Sequence, residues 1–403
     1  MTETTPRRLR LWVALLCAVA GGLLLDAASP SLGWWWAAFP GTAAIIAAVW
    51  QQRIGMGALI GAVAGASFWM PHISWLTLYL GPVPWLGLCF VMTVWFVVFG
   101  MLAALGSRGL ALVGWAKDRP VLRVMAQALT VAGLWVLREQ VQGAWPYGGF
   151  AWGRLAHTQA DGPLLQSVSW LGFAGLSGVI AFVCALLVAV SFGPRLSTRA
   201  LLPVTGSAVV LLLVLTLLPA APLASHGTLR VAGIQGNSKS GIFDDRESGA
   251  VLQDHLDATA ALLDELERTD EHVDVIVWPE NSAEFDFPGN SFGKYQLRQL
   301  AERADAPIVI GSVLANDDGT YTNSSLVWGP DGRQDVQYDK VFPVPFAEYM
   351  PNRDFFHALA PDLVDLVQLE YTAGTRAPVV PVEGGTGTVA AGLAICFDII
   401  FDR

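Results

Sequence analysis

A chain of 403 residues with 53% hydrophobic residues and a mean hydropathy of +0.48 is long enough for more than one folding unit and too apolar for an ordinary soluble enzyme. Its charge is unevenly placed: residues 1–224 hold 12 Lys/Arg and 5 Asp/Glu, whereas residues 225–403 hold 12 and 29. The acidic second half argues against a nucleic-acid partner, because a phosphate backbone needs clustered cations.

A helix that crosses the hydrocarbon core needs about 20 mostly apolar residues. Seven stretches predict such spans, near Leu11–Leu25, Trp34–Trp50, Ile54–Met70, Trp85–Leu105, Val121–Leu137, Leu164–Phe192 and Ala200–Leu218. Arg7, Arg8 and Arg10 before the first stretch fit a signal peptide's basic region, but the spans that follow favour an uncleaved first helix. Trp34-Trp35-Trp36, Trp75 and Trp85 sit near span ends, as interfacial aromatics do. With the N-terminus in the cytoplasm, the inside segments carry Arg7, Arg8, Arg10, Arg53, Arg108, Lys117, Arg119, Arg123, Arg195 and Arg199, and the outside loops carry only Arg138 and Arg154. The positive-inside rule then places everything after about Leu218 outside the cytoplasm.

The outside loop Arg138–Gly162 is long, aromatic and glycine-rich, with an Arg-Glu pair at its start. Two readings stand side by side: an interfacial surface bordering a lipid-accessible site, or ordinary helix packing at the membrane edge.

After Pro219-Ala220-Ala221-Pro222 the texture changes. Leu229–Gln235, Val273–Trp278 and Pro307–Val313 read as strands, and Gly249–Thr269 and Tyr295–Ala304 as helices. Ser324–Gly329 and Arg333–Tyr338 flank Pro330-Asp331-Gly332 as a hairpin, and Thr388–Ile395 reads as a strand ending at Cys396. Early alternation of strand and helix followed by hairpins predicts a layered α/β sheet sandwich. Of four cysteines, Cys17, Cys89 and Cys184 lie in apolar stretches, so the soluble part has only Cys396 and no internal disulfide. His226, His272 and His357 are scattered, without metal-ligand spacing, and no cofactor motif stands out.

Three reactive side chains follow the ends of hydrophobic strands, where α/β folds place their chemistry. Glu280, in Val277-Trp278-Pro279-Glu280-Asn281, is either a solvated turn residue or, in a partly dry pocket, a general base. Lys340, after Tyr338-Asp339, is either a surface lysine or a cation beside a thiolate and a developing oxyanion, with Glu348 eight residues on to orient it. Cys396, in Ile395-Cys396-Phe397-Asp398, is either a buried inert thiol or a nucleophile whose reactivity a neighbouring cation raises.

Together this Glu–Lys–Cys arrangement resembles the nitrilase, or carbon–nitrogen hydrolase, superfamily. Joined to the apolar half, Phe150–Gln166, Gln235-Gly236-Asn237, Trp278–Asn281, the stretch from Tyr338 to Pro351 and Ile395–Asp398, it resembles the apolipoprotein N-acyltransferase family. The resemblance implies a multi-pass α-helical membrane domain, residues 1–222, followed by an extracytoplasmic α/β nitrilase-like (α-β-β-α) sandwich, residues 223–403, in a bacterial inner membrane. It implies Glu280, Lys340 and Cys396 as catalytic residues, with Trp278 and Glu348 in supporting positions. Asp398 stands where the family often has glutamate, and Phe397 where tyrosine is common, so any role for that hydroxyl is lost. The implied reaction moves a fatty acyl chain from a membrane phospholipid, through a thioester on Cys396, to the α-amino group of a lipoprotein's diacylglyceryl-cysteine. The implied partners are thus phospholipid, diacylglyceryl apolipoprotein and the bilayer, and the apolar arm Val341–Leu369 is expected to shelter the intermediate from water. A membrane-anchored amidase using the same trio on a small amide is the alternative. Family members continue well past the cysteine, whereas this chain stops at Arg403, so the resemblance also implies an incomplete sandwich and, as a further alternative, an inactive fragment.

Overall fold

The structure, a computed structural model, describes residues 7–113, 119–222, 227–238, 247–331, 334–384 and 387–401. Lys117 and the Gly332–Arg333 tip of the expected hairpin lie outside the described residues. The chain divides into two compact units, Met1–Pro222 and Leu223–Arg403.

The first unit is helical: α1 Leu11–Ala28, α2 Ala38–Val49, α3 Ile54–His72, α4 Pro82–Leu112, α5 Pro120–Gln142, α6 Val168–Phe192 and α7 Thr198–Leu217. Among the described residues six of these are long and apolar enough to cross a membrane. The exception corrects the expectation of seven full-length spans. Trp35–Ala37 form a 3-10 turn, and the helical run Trp35–Val49 is short. It nevertheless runs back beside the whole of α1. The Trp34 N–H donates to the Ala27 carbonyl (3.0 Å) at one end, and Gln52 Nε2 donates to the Leu9 carbonyl (3.0 Å) at the other. Parallel α1 and α3 are likewise joined at their C-terminal ends by His72 Nδ1 and Asp26 Oδ1 (3.2 Å). Arg7, Arg8 and Arg10 before α1, Arg53 between α2 and α3, Arg119 just before α5 and Arg195 between α6 and α7 therefore gather at one end of the bundle. The chain leaves at the opposite end, where Trp170 Nε1 donates to the Pro219 carbonyl (2.8 Å).

Helices α3 and α4 pack backbone to backbone. Gly57, Gly61 and Gly65 form a stripe four residues apart, and a Cβ on Gly61 would fall on the Phe96 carbonyl. Small residues are what permit such close approach in a membrane bundle. The loop after α5 is folded rather than draped. Glu139 Oε1 accepts from Trp135 Nε1 (2.9 Å), Arg138 Nη2 (3.3 Å) and the Leu155 N–H (2.9 Å). Gln142 Nε2 reaches the carbonyls of Phe150 (3.3 Å) and Trp152 (3.2 Å). Arg138 and Arg154, the two cations that break the charge asymmetry, are both buried.

The second unit holds a five-stranded sheet in the order β1 Val231–Gly233, β2 Val275–Val277, β3 Ile308–Ala315, β4 Tyr321–Trp328 and β5 Gln334–Asp339. The first three strands run parallel and β3–β4–β5 antiparallel. Strand alternation sorts the two faces. Ile276, Ile308, Ile310 and Leu326 pack on one side with Leu252, Leu256 and Leu263 of α8 (Ala250–Thr269) and Leu297 and Ala301 of α9 (Ser291–Ala304). Val275, Val309 and Val327 pack on the other with Val380 and Val382 of a separate hairpin, β6 Val379–Gly384 and β7 Gly387–Gly392. Helices, sheet and hairpin make three successive layers. Strand β7 stops before the expected end: Leu393–Ile395 are irregular and Cys396 opens a 3-10 turn, Cys396–Ile400.

Candidate active site

Strand β2 ends in a turn that brings Glu280 over β3. Trp278 N donates to the Val309 carbonyl (2.8 Å) and Ala283 N to the Gly311 carbonyl (2.8 Å). Gly311 permits this approach, because a Cβ there would lie 2.9 Å from the Glu280 Cα and 2.6 Å from the Asn281 nitrogen. Trp278 itself points into the core, where Nε1 donates to Thr259 Oγ1 (2.9 Å), so it supports the turn from beneath.

Lys340 follows β5 and is 1% exposed, with its N–H on the Asn323 carbonyl (2.8 Å). Its Nζ lies 3.2 Å from Glu280 Oε1 and 2.9 Å from Glu348 Oε2. Asn323, the third residue of β4, donates from Nδ2 to Glu280 Oε1 (2.6 Å) and Glu348 Oε1 (3.0 Å). Burial pulls the Lys340 ammonium down, but Glu348 and Glu280 outweigh it and hold the group above the ordinary lysine range.

Cys396 is the only exposed cysteine, and its backbone sits in the left-handed region (φ 47°). Partial burial of the sulfur raises the thiol, the Glu280 charge and a hydrogen bond to Glu280 raise it further, and Lys340 acts against them. The net direction is up, so at neutral pH the resting group is a thiol beside Glu280. With both carboxylates ionised, the Glu280–Lys340–Glu348 cluster has one net negative charge, which protonation of Glu280 would cancel. That arrangement suits removal of the thiol proton as the sulfur attacks, in place of a preformed thiolate.

Asp398 is 9% exposed and accepts from Tyr338 OH (2.8 Å), the Phe342 N–H (2.8 Å) and the Ile395 N–H (3.2 Å). It straps the cysteine turn to the residues after Lys340. Burial and this carboxylate push the Tyr338 phenol upward. Phe397 adds to the strap, meeting Phe401 edge-on (5.2 Å), which in turn stacks on Phe342 (4.1 Å). The arm beyond contains α10 Arg353–Leu359 and α11 Pro361–Val364 around a small core of Met350, Val364 and Val367. Its Phe355, Leu359 and Leu366 are exposed.

The structure thus brings Glu280, Lys340, Glu348 and Cys396 together and places Trp278, Phe397 and Asp398 behind them. Sequence reasoning missed Asn323 and Tyr371. Asn323 lies in Thr322-Asn323-Ser324, a polar run buried inside a strand, which was the available signal. Tyr371 donates its N–H to the Glu348 carbonyl (2.9 Å), and burial with the nearby Glu348 and Glu280 pushes its phenol up to about 12. Among the described residues, no cluster of His, Cys, Asp and Glu is arranged to hold a metal ion.

Residues 21–186 match the family model for the apolipoprotein N-acyltransferase N-terminal domain, and residues 230–403 match that for carbon–nitrogen hydrolases. The chain is 32% identical to an apolipoprotein N-acyltransferase of Mycolicibacterium smegmatis over 96% of its own length and 66% of that protein. It is 28% identical to one of Geobacter metallireducens, covering 96% of this chain and 73% of that protein. A third, from Vibrio cholerae serotype O1, is 26% identical over 88% of this chain and 68% of its own. The chain therefore spans about two thirds of the length of these relatives. Among solved structures, an amidase from Nesterenkonia sp. is similar at 15% identity and a TM-score of 0.28, covering 45% of this chain and 60% of that one.

Proposed function

The chain belongs to the apolipoprotein N-acyltransferase family, and on that premise we propose that it moves a fatty acyl chain from a membrane phospholipid to the α-amino group of a diacylglyceryl-cysteine lipoprotein. The observation that carries this reading is the convergence of Glu280 and Lys340 on an exposed Cys396. Glu280 takes the thiol proton as the sulfur attacks the ester carbonyl. Lys340 and backbone N–H groups stabilise the tetrahedral oxyanion. Collapse breaks the ester C–O bond, Glu280 returns the proton to the departing oxygen, and a lysophospholipid leaves the acyl group as a thioester. The lipoprotein amine then attacks that thioester. Its proton passes through Glu280 to the sulfur, so the products are an amide and the restored thiol.

The membrane half fits a lipid donor. Basic residues gather at the end of the bundle that holds the N-terminus, and the chain leaves at the other end, which supports a cytoplasmic N-terminus and an extracytoplasmic second unit in the bacterial inner membrane. The exposed Phe355, Leu359 and Leu366 of the arm suit insertion among lipids, where they would keep water from the thioester. Intact-protein mass after incubation with phospholipid vesicles tests the reading. A fatty-acyl adduct absent from Cys396→Ser is expected. No adduct with any phospholipid would overturn it, and release of free fatty acid in place of transfer to a lipopeptide amine would favour a hydrolase.

A further inference from the structure

The Asn323 side chain is 3% exposed, and both of its hydrogen bonds leave from Nδ2, to Glu280 Oε1 and Glu348 Oε1. Its Oδ1 has no partner among the described residues. The amide is forced into this orientation, since turning it over would set Oδ1 against two carboxylate oxygens. Lys340 Nζ reaches the same two oxygens from its own position (3.2 and 3.0 Å). Two carboxylates that converge on one nitrogen would otherwise relieve their repulsion by sharing a single proton.

Resting on the acyl-transfer reading of this site, we propose that Asn323 is a positioning residue for proton transfer. Its amide keeps Glu280 and Glu348 as two separate acceptors, so that Glu280 is left to take the Cys396 proton. The charged and titratable groups around the cluster are Glu280 from the β2 turn, Lys340 after β5, Glu348 and Tyr371 from the arm, Tyr321 of β4 beside Tyr371, and Cys396 from the 3-10 turn. Asn323 is itself on β4, paired with Val313 of β3, so no further titratable group faces it from that strand.

Two near-isosteric variants of the full chain, Asn323→Leu and Asn323→Asp, test this in phospholipid vesicles through the rate of acyl-adduct formation on Cys396 against pH. Loss of two charge-assisted donors in the leucine variant should slow acylation roughly 30-fold near neutral pH. Its deficit should widen as pH falls, because carboxylates without donors accept protons more readily. The aspartate variant should behave oppositely: its deficit should narrow as pH falls, because the introduced carboxyl regains a donor when protonated. A constant ratio to the unsubstituted protein in both variants, or no slowing, overturns the proposal. A lipid-independent readout separates this outcome from failure of the acyl-transfer reading. Iodoacetamide labelling of Cys396 in Asn323→Leu should shift to lower pH, since two carboxylates sharing a proton oppose the thiolate with one charge fewer; an unshifted profile counts against the proposal even if no lipid is ever transferred.

Discussion

Each unit buries a cluster of charged groups among its described residues, and the two are used differently. In the membrane unit Glu139, 1% exposed, receives Arg138, Trp135 and the Leu155 backbone on a single oxygen, and Gln142 holds two further loop carbonyls. Every one of these contacts ends on a helix or the loop above it, so the charge is spent on shape. In the second unit Lys340 is as deeply buried, but one of its two carboxylates, Glu280, also faces an exposed thiol. A buried charge whose contacts all stay within the helices and their loop organises a fold; one left open toward a nucleophile can do chemistry. Burial of charge alone does not distinguish them.

The sharpest way to break this comparison is Cys396→Ser, which should cut acyl-adduct formation by roughly 10⁴-fold or more. Arg138→Ala should instead leave the adduct yield per folded molecule in place. Next come the clusters themselves. Lys340→Met strands two carboxylates and should cost about 3–5 kcal/mol in thermal or denaturant unfolding. The wild-type lysine adds a pH signature. Its folded value is raised, so its stabilisation is complete below the ordinary lysine value and fades as pH climbs through the higher folded value. Unfolding measured at and above about pH 10.5 should show that loss in wild type and not in the methionine variant. Arg138→Ala should cost about 3 kcal/mol and make residues 143–164 a site of chymotrypsin cleavage, since the loop hangs on its neighbour Glu139.

A pair of glycines sharpens the contrast further. Gly61→Ala forces α3 from the Phe96 carbonyl and should cost about 1–3 kcal/mol of stability, with the acylation rate per folded molecule unchanged. Gly311→Ala pushes against the Glu280 backbone, so a similar loss of stability should come with a slower acylation step. The smallest expected effect is electrostatic. Removing the Glu280 charge in Glu280→Gln should move iodoacetamide labelling of Cys396 to lower pH, although the same change disables transfer.

The apolar helices and most strands of the second unit were legible because each follows a simple period or a run of apolar residues. Glu280, Lys340 and Cys396 were legible because each follows a β-strand or an apolar run in the sequence. The second helix is shorter than Trp34–Trp50 suggests: the stretch is apolar, yet its tryptophans open a 3-10 turn, and hydropathy does not register backbone pitch. Cys396 was expected at a strand end and instead opens a turn, because β7 pairs only as far as Gly392. Asn323 escaped notice for a different reason. Its importance comes from what lies across the sheet, with Glu280 43 residues before it and Glu348 25 residues after it, and no local pattern encodes that meeting. Asp398 was read as a site position and serves as a strap, a distinction that needed its three donors to be seen together.

The left-handed backbone at Cys396 has an evolutionary side. A side chain with a Cβ in that region typically costs of order 1–3 kcal/mol, a cost glycine would escape. Selection for robustness alone would therefore drift toward glycine at this position, and a designer ranking sites for thermal improvement would choose it early. A cysteine at this position therefore carries a backbone cost that glycine would not, and it leaves an exposed thiol there.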